Sequence, residues 1–383
     1  MKKRLFSLTA ALLLAGAGLF VLASYAPNGR ELVSLGYLQN TVLPQLTQSM
    51  DETLAMQDAA HLHQVETGLA AINGSYDFQA GENSDLTHSA TAEGLRFKKG
   101  DVLRLASGSR LLPLAGEVQV SFPSGSVIDV TAGLEVVSGT SLPNGHRFLS
   151  AERTVAAATI LSDTAVLAVE GSYRFTPSTT PDYNAMADAL KAMGLFRGTD
   201  TGYGSGYDLE KAPTRIQGLI LFLRLIGEEE AALATTAPCP FTDLAAWCQP
   251  YGAYAFEKGY TKGVSETLFA PDLPLRSTEY LTFVLRSLGY TDSGDAPDFS
   301  WDTSLIRGLE FGLLTPLEHK MLTEQPFLRA QAVYVSYYAL DALRKGEQTT
   351  LLTKLEKMGV VDPATAAHAR TLVTTPRLSS PTS

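Results

Sequence analysis

The sequence predicts a multidomain α+β chain: an N-terminal signal or anchor with a helical segment, a small all-β domain, then an all-α region of three repeats. Three observations carry this prediction. Apolar residues change from helical to alternating spacing near residue 95 and return to helical spacing after residue 182. Glycine and proline turns punctuate the alternating part at short intervals. A helix–loop–helix pattern then recurs three times with a period of about fifty to sixty residues. With 383 residues, 45% of them hydrophobic, the chain can fill two or three cores. A formal net charge of −10, and the lack of a Lys/Arg-rich run after residue 4, exclude broad electrostatic capture of nucleic acid. Any bound anion must be held by a local pocket.

Residues 1–26 open with Lys2, Lys3 and Arg4, followed by an apolar run over 5–23 with Leu5 and Ala23 at its ends. This is an export signal. Ser24-Tyr25-Ala26 offers a small-residue cleavage site, whereas Pro27 disfavours the cut and the run is nearly long enough to span a bilayer. Cleaved signal and uncleaved membrane anchor both stand at this point. Segment 30–72 is helical, with Leu32, Leu35, Leu38, Val42, Met50, Leu54 and Leu62 forming a stripe interrupted at Pro44. His61 and His63, two apart, point to different helix faces and make no metal pair.

The β-rich domain covers 75–178. Val118, Val120 and Phe122 alternate with Gln119 and Ser121; Val127, Ile128 and Val130 resume after the turn at 123–125. Asp101, Asp129, Glu135, Glu152 and Asp163 fall on separate strands or turns and read as solvated faces rather than a glycosidase carboxylate pair. TPSTTPD (176–182) reads as a Pro/Thr linker. Beyond it come the repeats, at 182–235, 238–292 and 297–345, then a weak helix and a disordered tail over 346–383. Glycines 194, 259 and 312 read as helix caps. GYGSG at 202–206 lacks the preceding strand and the Gly-Lys-Ser/Thr of a phosphate loop.

The repeats carry FTDLAAW at 241–247, the run Gly-Tyr-Thr-Lys-Gly at 259–263, LFAP at 268–271, and the helix starts Thr214-Arg215-Ile216-Gln217 and Leu328-Arg329-Ala330-Gln331. In these features the region resembles the S-layer homology (SLH) domain, which occurs in triplicate in surface proteins of Gram-positive and related bacteria. The resemblance implies a three-fold pseudosymmetric helical bundle whose grooves bind a secondary cell-wall polysaccharide, often one carrying a pyruvate ketal. The ligand residue it implies is the arginine at each helix mouth. A guanidinium there offers a planar fork to a carboxylate, and the helix terminus adds favourable potential.

On that basis Arg215 and Arg329 are the first ligand residues. Arg276 falls one residue early when the second helix is aligned on its apolar core, leaving Ser277 at the motif position; one residue is about 100° of helix rotation. Lys262 is a second candidate cation. Cys239 and Cys248, the chain's two cysteines, are expected to form a short-loop disulfide in an oxidising exterior. No metal or other cofactor is implied, and no nucleophile–base motif is present. The expected function is non-enzymatic: an exported, cell-surface protein attached to wall polysaccharide and presenting the β-domain. The alternatives are a wall-glycan enzyme located by the repeats, or a membrane-anchored interaction protein with degenerate repeats.

Overall fold

The computed structural model describes residues 36, 38–80, 86–198 and 206–379. The export segment and most of the GYGSG loop lie outside them. Among the described residues no helix is long and apolar enough to cross a membrane.

A short π-helical turn, Leu38–Val42, runs into one helix, α1 (Leu43–Ala80). Pro44 does not interrupt it as expected. It lies where the π-helical turn passes into α1. Leu43, Leu46, Met50 and Leu54 on this helix are solvent-exposed. The helix runs on past residue 72, where the expected segment ended, and the sheet begins later than residue 75.

Ten strands follow: β1 (Thr87–Lys98), β2 (Val102–Leu105), β3 (Arg110–Ala115), β4 (Val118–Ser121), β5 (Val127–Asp129), β6 (Leu134–Val136), β7 (Thr140–Leu142), β8 (Phe148–Ser150), β9 (Ala156–Ile160) and β10 (Thr164–Thr176). They form one antiparallel sheet in the order β6-β5-β8-β3-β10-β2-β9-β4-β7, with β1 on β10. The end strands β6 and β7 are consecutive in sequence, so the sheet curls nearly shut around Leu103, Leu111, Val118, Val120, Phe148, Ile160 and Leu167. Alternation puts Val118 and Val120 inside, as expected.

Two acids expected on solvated faces are buried instead. Asp101 is held by Lys98, by the Lys98 N–H and by the Ser178 N–H. Asp129 accepts from the N–H groups of Thr131 and Ala132 and meets His146 Nδ1 at 2.7 Å. Both brace turns. Nor is the Pro/Thr segment a free linker. Ser178 and Thr180 hydroxyls both donate to the Lys99 carbonyl at 2.6 Å, pinning the chain to the sheet.

The helical part comprises α2 (Tyr183–Ala192), α3 (Arg215–Leu225), α4 (Glu229–Leu233), α5 (Gln249–Glu257), α6 (Ser277–Ser287), α7 (Ser304–Glu310), α8 (Pro316–Glu324), α9 (Arg329–Ala339), α10 (Leu351–Lys357) and α11 (Pro363–Thr371). The apolar helices α3, α6 and α9 touch one another at the centre of one continuous core. Gly194, Gly259 and Gly312 sit at φ near +75°, the left-handed cap that only glycine adopts freely.

The expected disordered tail is largely built into the fold. It contains two helices, and residues after α11 pack on α8 and α9. Arg377 donates to both Glu318 carboxylate oxygens (2.6 and 2.7 Å) and stacks over Tyr338, while the Leu378 N–H reaches the Tyr334 hydroxyl.

Candidate functional site

Helices α3, α6 and α9 begin in the same way. The backbone N–H of Thr214, Arg276 or Leu328 donates to the side chain three residues on, Gln217, Glu279 or Gln331. This capping pattern satisfies a donor left over at the helix start. It also fixes the alignment: the first helical residue is Arg215 in α3, Ser277 in α6 and Arg329 in α9. Ser277 therefore occupies the motif position, with Arg276 one residue earlier, as the apolar register requires.

From those first positions each helix reaches into the next repeat. Arg215 donates its N–H to Leu273 O and its Nε to Phe269 O (3.0 Å), and Ile216 N–H reaches Pro271 O. Arg329 does the same one repeat round: N–H to Lys211 O, Nε to Tyr207 O (3.2 Å), with Ala330 N–H on Leu209 O. The acceptor loops match down to a left-handed residue after the aromatic, Asp208 (φ 54°) and Ala270 (φ 59°). In the remaining junction Ser277 donates its hydroxyl to Leu322 O at 2.9 Å. Segment 182–235 thus bonds to 238–292, that segment to 297–345, and 297–345 back to 182–235.

The three mouths differ in what they leave open. Under Arg215 lies a cleft of about 770 Å³, lined by Lys262, Arg276, Arg286, Glu279, Asp292 and Trp301 among others. Its charged lining has four cations (Arg215, Lys262, Arg276, Arg286) against two carboxylates (Glu279, Asp292), a positive spot on an acidic chain. Arg215 Nη1 pairs with Glu279, and its guanidinium carbon lies 5.2 Å from the Phe269 ring centre. Among the described residues Nη2 has no hydrogen-bond partner. Phe269 is held in turn by Asp243, whose carboxylate accepts the N–H groups of Phe269 and Ala270.

Deeper in the cleft Arg286 forks onto Asp292 (3.0 and 2.5 Å) and donates to Tyr260 O. Burial raises the Asp292 pKa, but the Arg286 hydrogen bond and charge, helped by Lys262, outweigh it and hold the carboxyl below its usual range. Lys262 itself is 60% exposed, its Nζ 3.9 Å from Asp292. Arg276 lines this same cleft rather than a mouth of its own. Trp301, 55% exposed, is the aromatic wall.

The mouth at Ser277 has no cation at its first position. The one at Arg329 is closed: that residue is 5% exposed, and burial, the largest influence, lowers its pKa against the nearby Asp208 charge. So the expected ligand residues divide. Arg215, Arg276 and Lys262 share one cleft; Ser277 and Arg329 do not join them. Sequence reasoning missed Trp301, Arg286, Asp292 and the Arg215–Glu279 pair. FSWD at 299–302 contains the tryptophan, but nothing in the string separates an exposed wall from a core residue.

The expected disulfide is not formed. Cys239 and Cys248 are free thiols, each turned toward a backbone carbonyl, Phe241 O at 3.7 Å and Ala245 O at 3.2 Å. Burial pushes the Cys248 thiol up. Among the described residues no group of three His, Cys, Asp or Glu is placed to hold a metal ion.

No protein-family model matches the chain. Over 220 residues, 54% of the chain, it is 26% identical to a "middle cell wall protein" of Brevibacillus brevis. Over 188 residues, 45% of the chain, it is 27% identical to a "surface layer protein" of Brevibacillus choshinensis. These matches span 20% and 16% of the two longer proteins. The chain is thus a distant relative of bacterial cell-wall and surface-layer proteins.

Proposed function

We propose that the chain is a non-enzymatic cell-surface protein attached to wall polysaccharide through SLH-like repeats, and that the cleft under Arg215 is its grip. The observation that carries this reading is the guanidinium of Arg215 at a helix mouth, with Lys262, Arg276 and Trp301 in the same 770 Å³ cleft. A carboxylate-bearing sugar meets Nη2 of Arg215 and the ends of Arg276 and Lys262 in charge-assisted bonds of about 1.5–3 kcal/mol each. The apolar face of its ring lies on the indole. A pyruvate ketal supplies such a carboxylate. The relatives' names agree with a place at the wall, and the sheet, fixed to the helical part, is what the chain presents there.

Co-sedimentation of the full chain with purified Gram-positive sacculi tests this. Retention falls at least about tenfold in an Arg215→Ala/Arg276→Ala double variant, the loss of one or two such bonds. Arg329→Ala, at a closed mouth, leaves retention of the folded fraction unchanged. Equal retention of the double variant and the parent refutes the assignment, and depyruvylated wall polymer reports whether the ketal is the acid recognised.

A further inference from the structure

A second cavity, of about 570 Å³, lies in the seam between the sheet and α2 and shares no lining residue with the Arg215 cleft. Its volume falls in the range of roughly 300–1,000 Å³ that small-molecule sites occupy. β1, the end of β10 and the first turns of α2 supply its lining. Tyr173 and Phe175, two apart on β10, share a face of that strand. Tyr173 is 6% exposed, yet among the described residues its hydroxyl has no hydrogen-bond partner. The atom is not sealed in the core: it keeps access to the cavity that Tyr173 lines. Burial raises its pKa, so it stays a phenol able to donate and to accept. A buried hydroxyl without a protein partner is satisfied by what fills the space beside it.

Other lining groups hold bonding capacity in reserve. Asn184, itself buried, donates its Nδ2 to Phe97 O at 3.1 Å, which leaves Oδ1 without a partner among the described residues. Lys98, also buried, uses one of its three ammonium N–H groups on Asp101 at 2.9 Å. The apolar part of the wall is Phe175, 41% exposed, set at 61° to the Phe97 ring with the centres 5.7 Å apart; Leu95 and Pro177 extend it. The charges of the lining are already spent on one another. Asp188 is forked by Arg96 and takes the Tyr207 hydroxyl, Asp101 is bonded to Lys98, and Asp182 caps α2 through the Ala185 N–H. Three carboxylates against two cations disfavour an anion, and no carboxylate stands clear of those duties for a cation.

We infer that this cavity is a binding site for a short neutral oligosaccharide. The apolar face of one ring lies on Phe175, and its hydroxyls meet the Tyr173 hydroxyl, Asn184 Oδ1 and Lys98 Nζ. A sugar hydroxyl both donates and accepts, which matches an acceptor at Asn184, a donor at Lys98 and a group of both kinds at Tyr173. A concave apolar surface with a few converging polar groups is the ordinary form of such sites. The β-domain thereby has a ligand of its own, unlike the acidic polymer assigned to the Arg215 cleft, and this assignment does not rest on that one.

Saturation-transfer NMR and titration calorimetry on the full chain, with cellotriose and chitotriose as probes, test the site. At least one of the two shows transfer to its ring protons. Tyr173→Phe removes a single oxygen and keeps the ring in the core, so its far-ultraviolet circular dichroism matches the parent and its binding is read on a folded chain. It weakens the sugar at least about threefold, the loss of one hydrogen bond. Phe175→Ala, at an exposed position, weakens it at least about fivefold through the lost ring contact. Transfer to neither sugar, or equal affinity of Tyr173→Phe and the parent, overturns the site. Chitosan trimer, the amino counterpart of chitotriose, binds no tighter than chitotriose; tighter binding overturns the neutral class. Sacculus retention reads the Arg215 cleft, so failure there leaves this result standing.

Discussion

Replacing Arg377 with alanine removes the cation that the C-terminal segment delivers to Glu318. That carboxylate is 1% exposed, and Arg377 takes both of its oxygens while also donating to Leu313 O. Breaking a buried pair from one side costs about 3–5 kcal/mol, most of it the uncompensated charge left behind. The lower end applies because Arg377 is 30% exposed and Glu318 keeps two donors, the Thr315 N–H and the Tyr334 hydroxyl, each at 2.8 Å. A loss of about 3 kcal/mol lowers the melting midpoint by roughly 6–12 °C for a folded unit of this order of size. Thermal unfolding followed by circular dichroism measures it. Glu318→Gln in the Arg377→Ala background recovers part of the loss, since an amide buries no charge. A shift below about 1 kcal/mol, or no recovery in the double variant, refutes the view that the tail is part of the folded unit.

Three further outcomes follow from the junctions. Ser277→Ala forfeits the bond to Leu322 O and lowers stability by about 1 kcal/mol in urea titration, without changing wall retention. At Gly263 φ is +70°, and an added Cβ would stand 2.5 Å from Leu268 O, so Gly263→Ala costs at least about 2 kcal/mol in the same assay. Asp292 has a lowered folded pKa, so its contribution is present above the ordinary carboxylate value of about 4 and is lost as pH falls through the lower folded value. Urea midpoints of Asp292→Asn therefore decline less than those of the parent as pH falls below about 4.

What the sequence made legible was the local periodicity. Alternation at Val118 and Val120 found a strand, and the apolar runs found the helices α3, α6 and α9, because both signals are set within one element. The one-residue offset that put Ser277 rather than Arg276 at the motif position was also readable, since helix register follows from the apolar stripe. Longer-range contacts were not. That Arg215 lines an open cleft while Arg329 is covered cannot be read locally, since Arg329 meets Tyr207 and Gln331 meets Asp163, each more than a hundred residues away. The composition of 346–383 looks like a tail; only the buried Glu318, in another helix, explains why Arg377 is there. A pinned Pro/Thr segment and a loose one are spelled the same way, the difference lying in the Lys99 carbonyl they meet.

The circular order of the grips, α3 onto the second repeat, α6 onto the third and α9 back onto the first, has a consequence for how the helical part can be shortened. A linear stack of repeats has two raw ends, tolerates loss of a terminal copy and needs polar end units. A circle has neither ends nor a dispensable member. Excising any one repeat strands an acceptor loop on one neighbour and a helix mouth on the other, so minimal versions of this region come as all three or not at all.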